Sequence, residues 1–153
     1  MKMHSKDVSK RVEKTLTKSC KKYFEKELQG ISFPEGQDML LQVTRDPQHG
    51  DFTSNIAMRL ASFARQSPAV VGQGIIDIFK EEILKTGISE LIGDIEFASG
   101  FINLRLSEEY YKSLLMNIHE EKGNFGRSDE GKDRHINLEY VSANPTGPLT
   151  IAH

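Results

Sequence analysis

Cysteine is almost absent from this sequence: Cys20 stands alone, which excludes an internal disulfide framework and leaves the thiol without a cysteine partner for a metal site. Long apolar runs are missing too. No stretch approaches the roughly 18 residues of a membrane span, and the N-terminus lacks the apolar core of a secretion signal. No internal repeat or low-complexity tract is visible. The expected setting is a reducing cytoplasm, with no membrane. His4, His49, His119 and His135 are scattered without metal-ligand spacing, so no metal is expected. The paired acids Glu81-Glu82, Glu108-Glu109 and Glu120-Glu121 are read as solvated helix positions.

What is present is the composition of an ordinary folded domain, 153 residues with 37% apolar and 27% charged side chains. The net charge of -2 conceals an asymmetry: residues 1–28 sum to +5 and residues 29–153 to -7. A basic first helix offers cations to a phosphate backbone, and the plainer reading of the same lysines is a solvated face.

Val8, Val12, Leu16, Cys20, Phe24 and Leu28 recur at four-residue spacing, predicting an amphipathic helix that ends at Gly30. Met39-Leu40-Leu41-Gln42-Val43 is a short apolar run that suits a buried strand. After the loop Asp46 to Asp51, a helix is expected with Ile56, Leu60, Phe63 and Ala64 inward and Thr53 or Ser54 as its cap. A second helix begins near Ala69, with Val70, Ile75, Ile78, Phe79 and Ile83 as core positions. The runs Ile95–Ala98 and Phe101–Leu106 flank Ser99-Gly100, a two-residue hairpin link. Alternation along the second run puts Phe101, Asn103 and Arg105 on one face and the wholly apolar Ile102, Leu104 and Leu106 on the buried one. Ser107 starts a further helix that includes Leu114, Leu115 and Ile118 and stops before Gly123. Residues 122–134 are polar and glycine-rich, marking a linker, and a new strand is expected at Ile136–Val141. The fold class is α+β, a small antiparallel sheet packed with about four helices.

The tail strand runs through Ser142-Ala143-Asn144-Pro145-Thr146-Gly147-Pro148-Leu149, with Pro148 suited to the first turn of a helix. Strand, small-residue turn and helix N-terminus make a generic anion-binding place. The string itself resembles the entry to the class I active site of the arginyl-tRNA synthetase family, where S-A-N-P-T-G-P-L leads to the signature His-Ile-Gly-His. That resemblance covers Ile136 to His153. It implies that Glu139, Ser142 and Asn144 hold the arginine substrate, their oxygens accepting from its planar N–H fork. It also implies that Thr150-Ile151-Ala152-His153 occupies the ATP signature, with His153 neutralising charge that develops on the phosphates. Thr150 replaces the first histidine and Ala152 the glycine, so adenylate formation is expected to be poor even in a full-length enzyme supplied with ATP and Mg2+. The remainder of the nucleotide fold would have to follow His153, so these 153 residues in isolation are expected to be inactive and to hold no cofactor.

Gly50-Asp51-Phe52-Thr53-Ser54-Asn55-Ile56-Ala57-Met58 is similar to the G-D-F-x-[ST]-N-x-A-M block of the same family's N-terminal additional domain, and Gly100-Phe101-Ile102-Asn103 to its G-[FY]-[IL]-N block. The resemblance implies a domain that grips the tRNA-Arg elbow, the second block reading a D-loop nucleotide. Phe101 and Asn103 share a strand face, so a ring can stack on an unpaired base while an amide reads its edge. The alternative is that Phe101 is a core aromatic and Asn103 a turn-stabilising amide. Gly50 and Asp51 are read as shaping the loop and capping the next helix, with Phe52 inward. Arg105 and the lysines of the first helix are secondary phosphate candidates; Asn55 and Arg59 are weaker ones. The organisation expected is a tRNA-recognition domain at 1–124, a linker at 125–135 and, at 136–153, the first strand of a truncated Rossmann-type catalytic domain. Arginine and ATP are expected partners of the full-length enzyme only. The rival expectation is a free-standing structural or protein-interaction domain without RNA binding.

Overall fold

In the computed structural model the described residues are 5–28, 30–34, 41–129, 131–141 and 147–148. Their order is α1 (Ser5–Glu27), β1 (Gln42–Val43), β2 (Phe52–Ser54), α2 (Ile56–Ala64), α3 (Pro68–Thr86), β3 (Ile92–Ala98), β4 (Phe101–Leu106) and α4 (Glu108–Glu121). The strands form one antiparallel sheet in the order β1-β2-β4-β3. This is the α+β fold expected from the sequence: four helices and a small antiparallel sheet.

Helix α1 buries the stripe Val8, Val12, Leu16, Cys20 and Phe24 against α3, whose inner face carries Val71, Ile75, Ile78 and Phe79. Burial pushes the Cys20 thiol up, so it stays protonated and inert. Two glycines bring the layers close. A Cβ on Gly74 would stand 2.2 Å from the Tyr23 ring, and one on Gly72 would stand 2.3 Å from the Phe97 ring. Helix α3 starts cleanly because the Ser67 hydroxyl accepts the Val70 N–H and Pro68 sits in the first turn. The hairpin forms as its turn demands: Ser99 and Gly100 both have positive φ, 51° and 90°, the pair of values of a two-residue primed turn.

Several expectations are corrected. The expected buried strand shrinks to Gln42–Val43, and Val43 is 76% exposed because β1 is an edge strand that no described element covers; Met39 and Leu40 lie outside the described residues. Phe52-Thr53-Ser54, read as the approach to a helix, is instead the inner strand β2. Asn55 takes the N-cap position of α2 without a side-chain bond, although Ser54 Oγ accepts the Ile56 N–H at 3.3 Å. Phe63 and Val70 are exposed, since the phase of each helix turns Ala61 and Val71 inward in their place. Glu82 is fully buried rather than solvated. In α4 only Tyr110 is buried, while Leu115, Met116 and Ile118 are exposed. Residues 136–141 pair with no strand among the described residues, and Ile136, Leu138 and Tyr140 are exposed, so the strand expected there is not formed.

Candidate nucleic-acid interface

The sheet has one covered face and one open face, and its register determines what each presents. Phe52, Leu104 and Ile95 form one cross-strand row, and Ser54, Ile102 and Phe97 the next; Ile102 and Leu104 have no exposed surface. Helices α2 and α3 cover this side. The intervening row, Gln42, Thr53, Asn103 and Glu96, crosses all four strands on the opposite face. Phe101 and Arg105 flank Asn103 on that face, opposite Ala98 and Asp94. Phe101 is 38% exposed, so it is not the core aromatic of the plainer reading.

A cleft of about 420 Å³ lies on the open face, within the size range of small-molecule clefts (roughly 300–1,000 Å³). Phe101, Asn103 and Thr53 form part of its lining, with Gln42, Arg45 and His49 from β1 and the loop that follows. Asn103 is only 7% exposed, and its Oδ1 accepts a hydrogen bond from the Thr53 hydroxyl at 2.8 Å. Glu96 is exposed beside it and Asp94 beside Arg105, so the β3 margin is acidic, whereas the β1 margin carries Arg45 and His49 together with the acidic Asp46.

The loop between β1 and β2 is held by backbone geometry. Asp46 accepts the Gln48 N–H at 2.9 Å, and a short 3-10 turn follows at Pro47–His49. Gly50 sits at φ +84°, and a Cβ there would lie 2.6 Å from the Leu104 carbonyl oxygen, so only glycine fits. Asp51 does not cap α2 as expected. Its Oδ2 accepts the Leu106 N–H at 2.7 Å and its Oδ1 accepts the Tyr111 hydroxyl, tying the loop to the β4–α4 junction. Burial first, then the bond to Asp51, pushes the Tyr111 phenol up to about 12. Phe52 is buried, as expected.

Arg105 is exposed, but its guanidinium donates to the Pro47 and Gln48 carbonyls at 3.3 and 3.2 Å, which makes it a brace for the same loop. The lysines of α1 divide. Lys18 and Lys22 each lie 2.7 Å from the buried Glu82 carboxylate, and Lys85 lies 3.3 Å away. Lys18 most, then Lys22, hold that carboxyl down at about 2. Lys10, Lys14 and Lys21 remain exposed on one side of the helix.

Of the residues expected to hold arginine, only Glu139 is described, and it is exposed in an unpaired segment. Ser142 and Asn144, and the expected ATP positions Thr150, Ile151, Ala152 and His153, lie outside the described residues. Among the described residues no three His, Cys, Asp or Glu side chains converge as a metal site, and no helix is long and apolar enough to cross a membrane. The contribution of Thr53, Gln42, Arg45 and His49 was not legible in the sequence, because their placement depends on β2 as an inner strand. The only available signal was Thr53 itself, a β-branched residue beside Phe52.

Residues 8–106 match the family described as arginyl tRNA synthetase N terminal domain. An arginine–tRNA ligase of Listeria welshimeri is 37% identical over 129 residues, 82% of this chain and 22% of the relative. One from Listeria monocytogenes is 38% identical over 125 residues, 81% of this chain and 21% of the relative. One from Coxiella burnetii is 36% identical over 126 residues, 81% of this chain and 20% of the relative. The chain thus spans about a fifth of the length of these relatives.

Proposed function

The chain belongs to the arginyl-tRNA synthetase N-terminal domain family, and from that membership we propose that it is the tRNA-reading part of an arginine–tRNA ligase, its open sheet face receiving an unpaired D-loop base. The observation that carries this reading is the pairing of a half-exposed Phe101 with a held amide, Asn103, on one solvent-facing side of β4. A ring offers stacking to any base, and an amide beside it offers both a donor and an acceptor to the base edge.

Charge supports an orientation. Asp94 and Glu96 repel phosphate along the β3 margin without a neighbouring cation other than the loop-bound Arg105, whereas on the β1 margin Arg45 and His49 outnumber Asp46, so the RNA backbone runs along the β1 side with its base turned toward Phe101. Among the lysines of α1, the exposed Lys10, Lys14 and Lys21 are the phosphate candidates, because Lys18 and Lys22 are paired with Glu82. Arg105 acts on RNA through the loop it braces.

In the longer protein, Glu139, Ser142 and Asn144 would hold arginine, and Thr150 to His153 would stand at the ATP phosphates, in a cytoplasmic enzyme that joins arginine to its tRNA. The division at 124 and 135 separates the reader from that catalytic part. A second reading, a structural or protein-interaction domain without RNA binding, draws support from the exposed Leu115, Met116 and Ile118 of α4.

Gel-shift titration with tRNA-Arg separates the two. Phe101→Ala is expected to cost about 1–3 kcal/mol, on the order of 5- to 150-fold in Kd, as the loss of one stacked base does. Asn103→Ala should weaken binding as well. Unchanged titrations for both variants favour the second reading.

A further inference from the structure

The cations of α1 stand on the opposite side of the domain from the open sheet face. Helix α3 lies between them: a Cβ on its Gly74 would meet the Tyr23 ring of α1, and one on its Gly72 would meet the Phe97 ring, which belongs to the covered face of the sheet. Residues two apart on a helix point nearly opposite ways, so α1 and the sheet flank α3 from two sides. Two helices, each about 10 Å across, therefore separate the outer surface of α1 from the sheet, a distance of roughly 20 Å. A base seated at Phe101 and a phosphate at α1 belong to different stretches of any ligand.

Charge is segregated onto that far side. Residues 1–28 sum to +5 in a chain whose remaining residues sum to -7. Lys10, Lys14 and Lys21 come round to the same side of α1 and are exposed, covering roughly 16 Å of helix. Beside them Lys18, Lys22 and Lys85 gather round the buried Glu82, three ammonium groups on one carboxylate, with Glu81 3.8 Å from Lys85. Those three lysines are engaged, yet their charge exceeds that of the two acids and adds to the field of the exposed stripe. The half-buried Glu13 and the exposed Glu25 are the acids of α1 that oppose it.

The chemistry of this face matches a nucleic-acid backbone. The apolar stripe of α1 is consumed by its packing in the core, so the helix has no face left to insert into a membrane. None of its large apolar side chains is exposed among the described residues, so it lacks the anchor that a protein partner uses and the ring that an unpaired base stacks on. Ammonium groups are compact charges that demand no fixed ligand geometry, which suits phosphodiesters of any sequence. We propose that the outer face of α1 is a second RNA site, separate from the open sheet face and indifferent to sequence, which takes the phosphate backbone of a paired stem through Lys10, Lys14 and Lys21. The proposal does not depend on base contact at Phe101 and Asn103.

The test titrates the whole chain with a blunt-ended, fully paired RNA duplex, which offers backbone and no unpaired base, and follows fluorescence anisotropy over a range of salt. Lys10→Gln, Lys14→Gln and Lys21→Gln combined should weaken duplex binding about tenfold or more near 50 mM salt and lower the slope of log Kd against log salt by about 2–3, close to one per lost contact. Arginine at the same three positions should keep duplex binding, which separates loss of charge from damage to the helix. Phe101→Ala should leave the duplex affinity and its slope as they are. A glutamine variant that binds the duplex as tightly as wild type overturns the proposal. So does a Phe101→Ala loss equal to that of the glutamine variant, which would move the duplex to the open sheet face. Failure of the wild type to bind the duplex at that salt also overturns it, and capture by phosphatidylserine vesicles instead would assign the face to a membrane surface. If Phe101→Ala and Asn103→Ala leave tRNA-Arg titrations unchanged while the glutamine variant loses the duplex, the base-contact reading fails and this one stands.

Discussion

At the scale of single residues, Gly50 and Asp51 show how a loop becomes part of a sheet. Asp51 N–H donates to the Leu104 carbonyl at 2.8 Å, and the preceding glycine approaches that same carbonyl too closely for any Cβ. Gly50→Ala should therefore destabilise the domain by about 3 kcal/mol or more, combining a φ value that suits only glycine with a backbone clash. Urea unfolding measures this, and a loss below about 1 kcal/mol would contradict the geometry. Much at this scale was legible in the sequence: a glycine and an acid in a loop read correctly as loop-shaping. The direction of the Asp51 side chain was not. Its partners, Leu106 and Tyr111, lie 55 and 60 residues away, and short-range capping rules point instead to the next helix.

Elements were legible in proportion to their length. Helix α1 announces itself over 23 residues of steady period, and the hairpin through the alternation of Phe101 to Leu106. Three-residue β2 is too short to show a period, and its position between β1 and β4 arises from pairing across some fifty residues of chain. The shared face of Phe101 and Asn103 on β4 could therefore be read beforehand, while Thr53, the β2 residue that donates to Asn103, could not. The strand expected at 136–141 erred the other way: its pattern suits a strand, but among the described residues no neighbour accepts its backbone hydrogen bonds. Helix packing offers its own test. Replacing glycine by alanine inside an exposed helix adds about 1 kcal/mol of helix stability. At Gly74 the added methyl group would meet the Tyr23 ring, itself fixed by its hydroxyl donating to Gln66, so the sign should reverse. A net loss of about 1–3 kcal/mol is expected for Gly74→Ala in thermal or urea unfolding, and a rise in stability would show that α1 and α3 yield easily.

Across the whole molecule, the positive charge of α1 is partly spent inside the domain. Glu82 of α3 draws Lys18 and Lys22 across the helix interface, while Arg11 donates to the Thr86 carbonyl at the C-terminal end of α3. The folded-state pKa of Glu82 lies below its ordinary value of 4.5, at about 2. Its stabilisation is thus complete above about pH 4.5 and is lost as pH falls toward about 2. Glu82→Gln should lower stability near pH 7 by about 1–3 kcal/mol, as the loss of charge-assisted bonds does, and should flatten the acid limb of the stability curve in that window. An acid limb unchanged by the substitution would place the pH dependence elsewhere. The turn at Ser99-Gly100 has a consequence of another kind, for what evolution or engineering can insert. Side chains alternate along β4, so a single residue added to the turn, if the strand slid to absorb it, would carry Phe101 and Asn103 into the core and turn Ile102 and Leu104 to water. The polar stretch after α4 can lengthen without that penalty, whereas the hairpin can change length only at the cost of exchanging inside for outside.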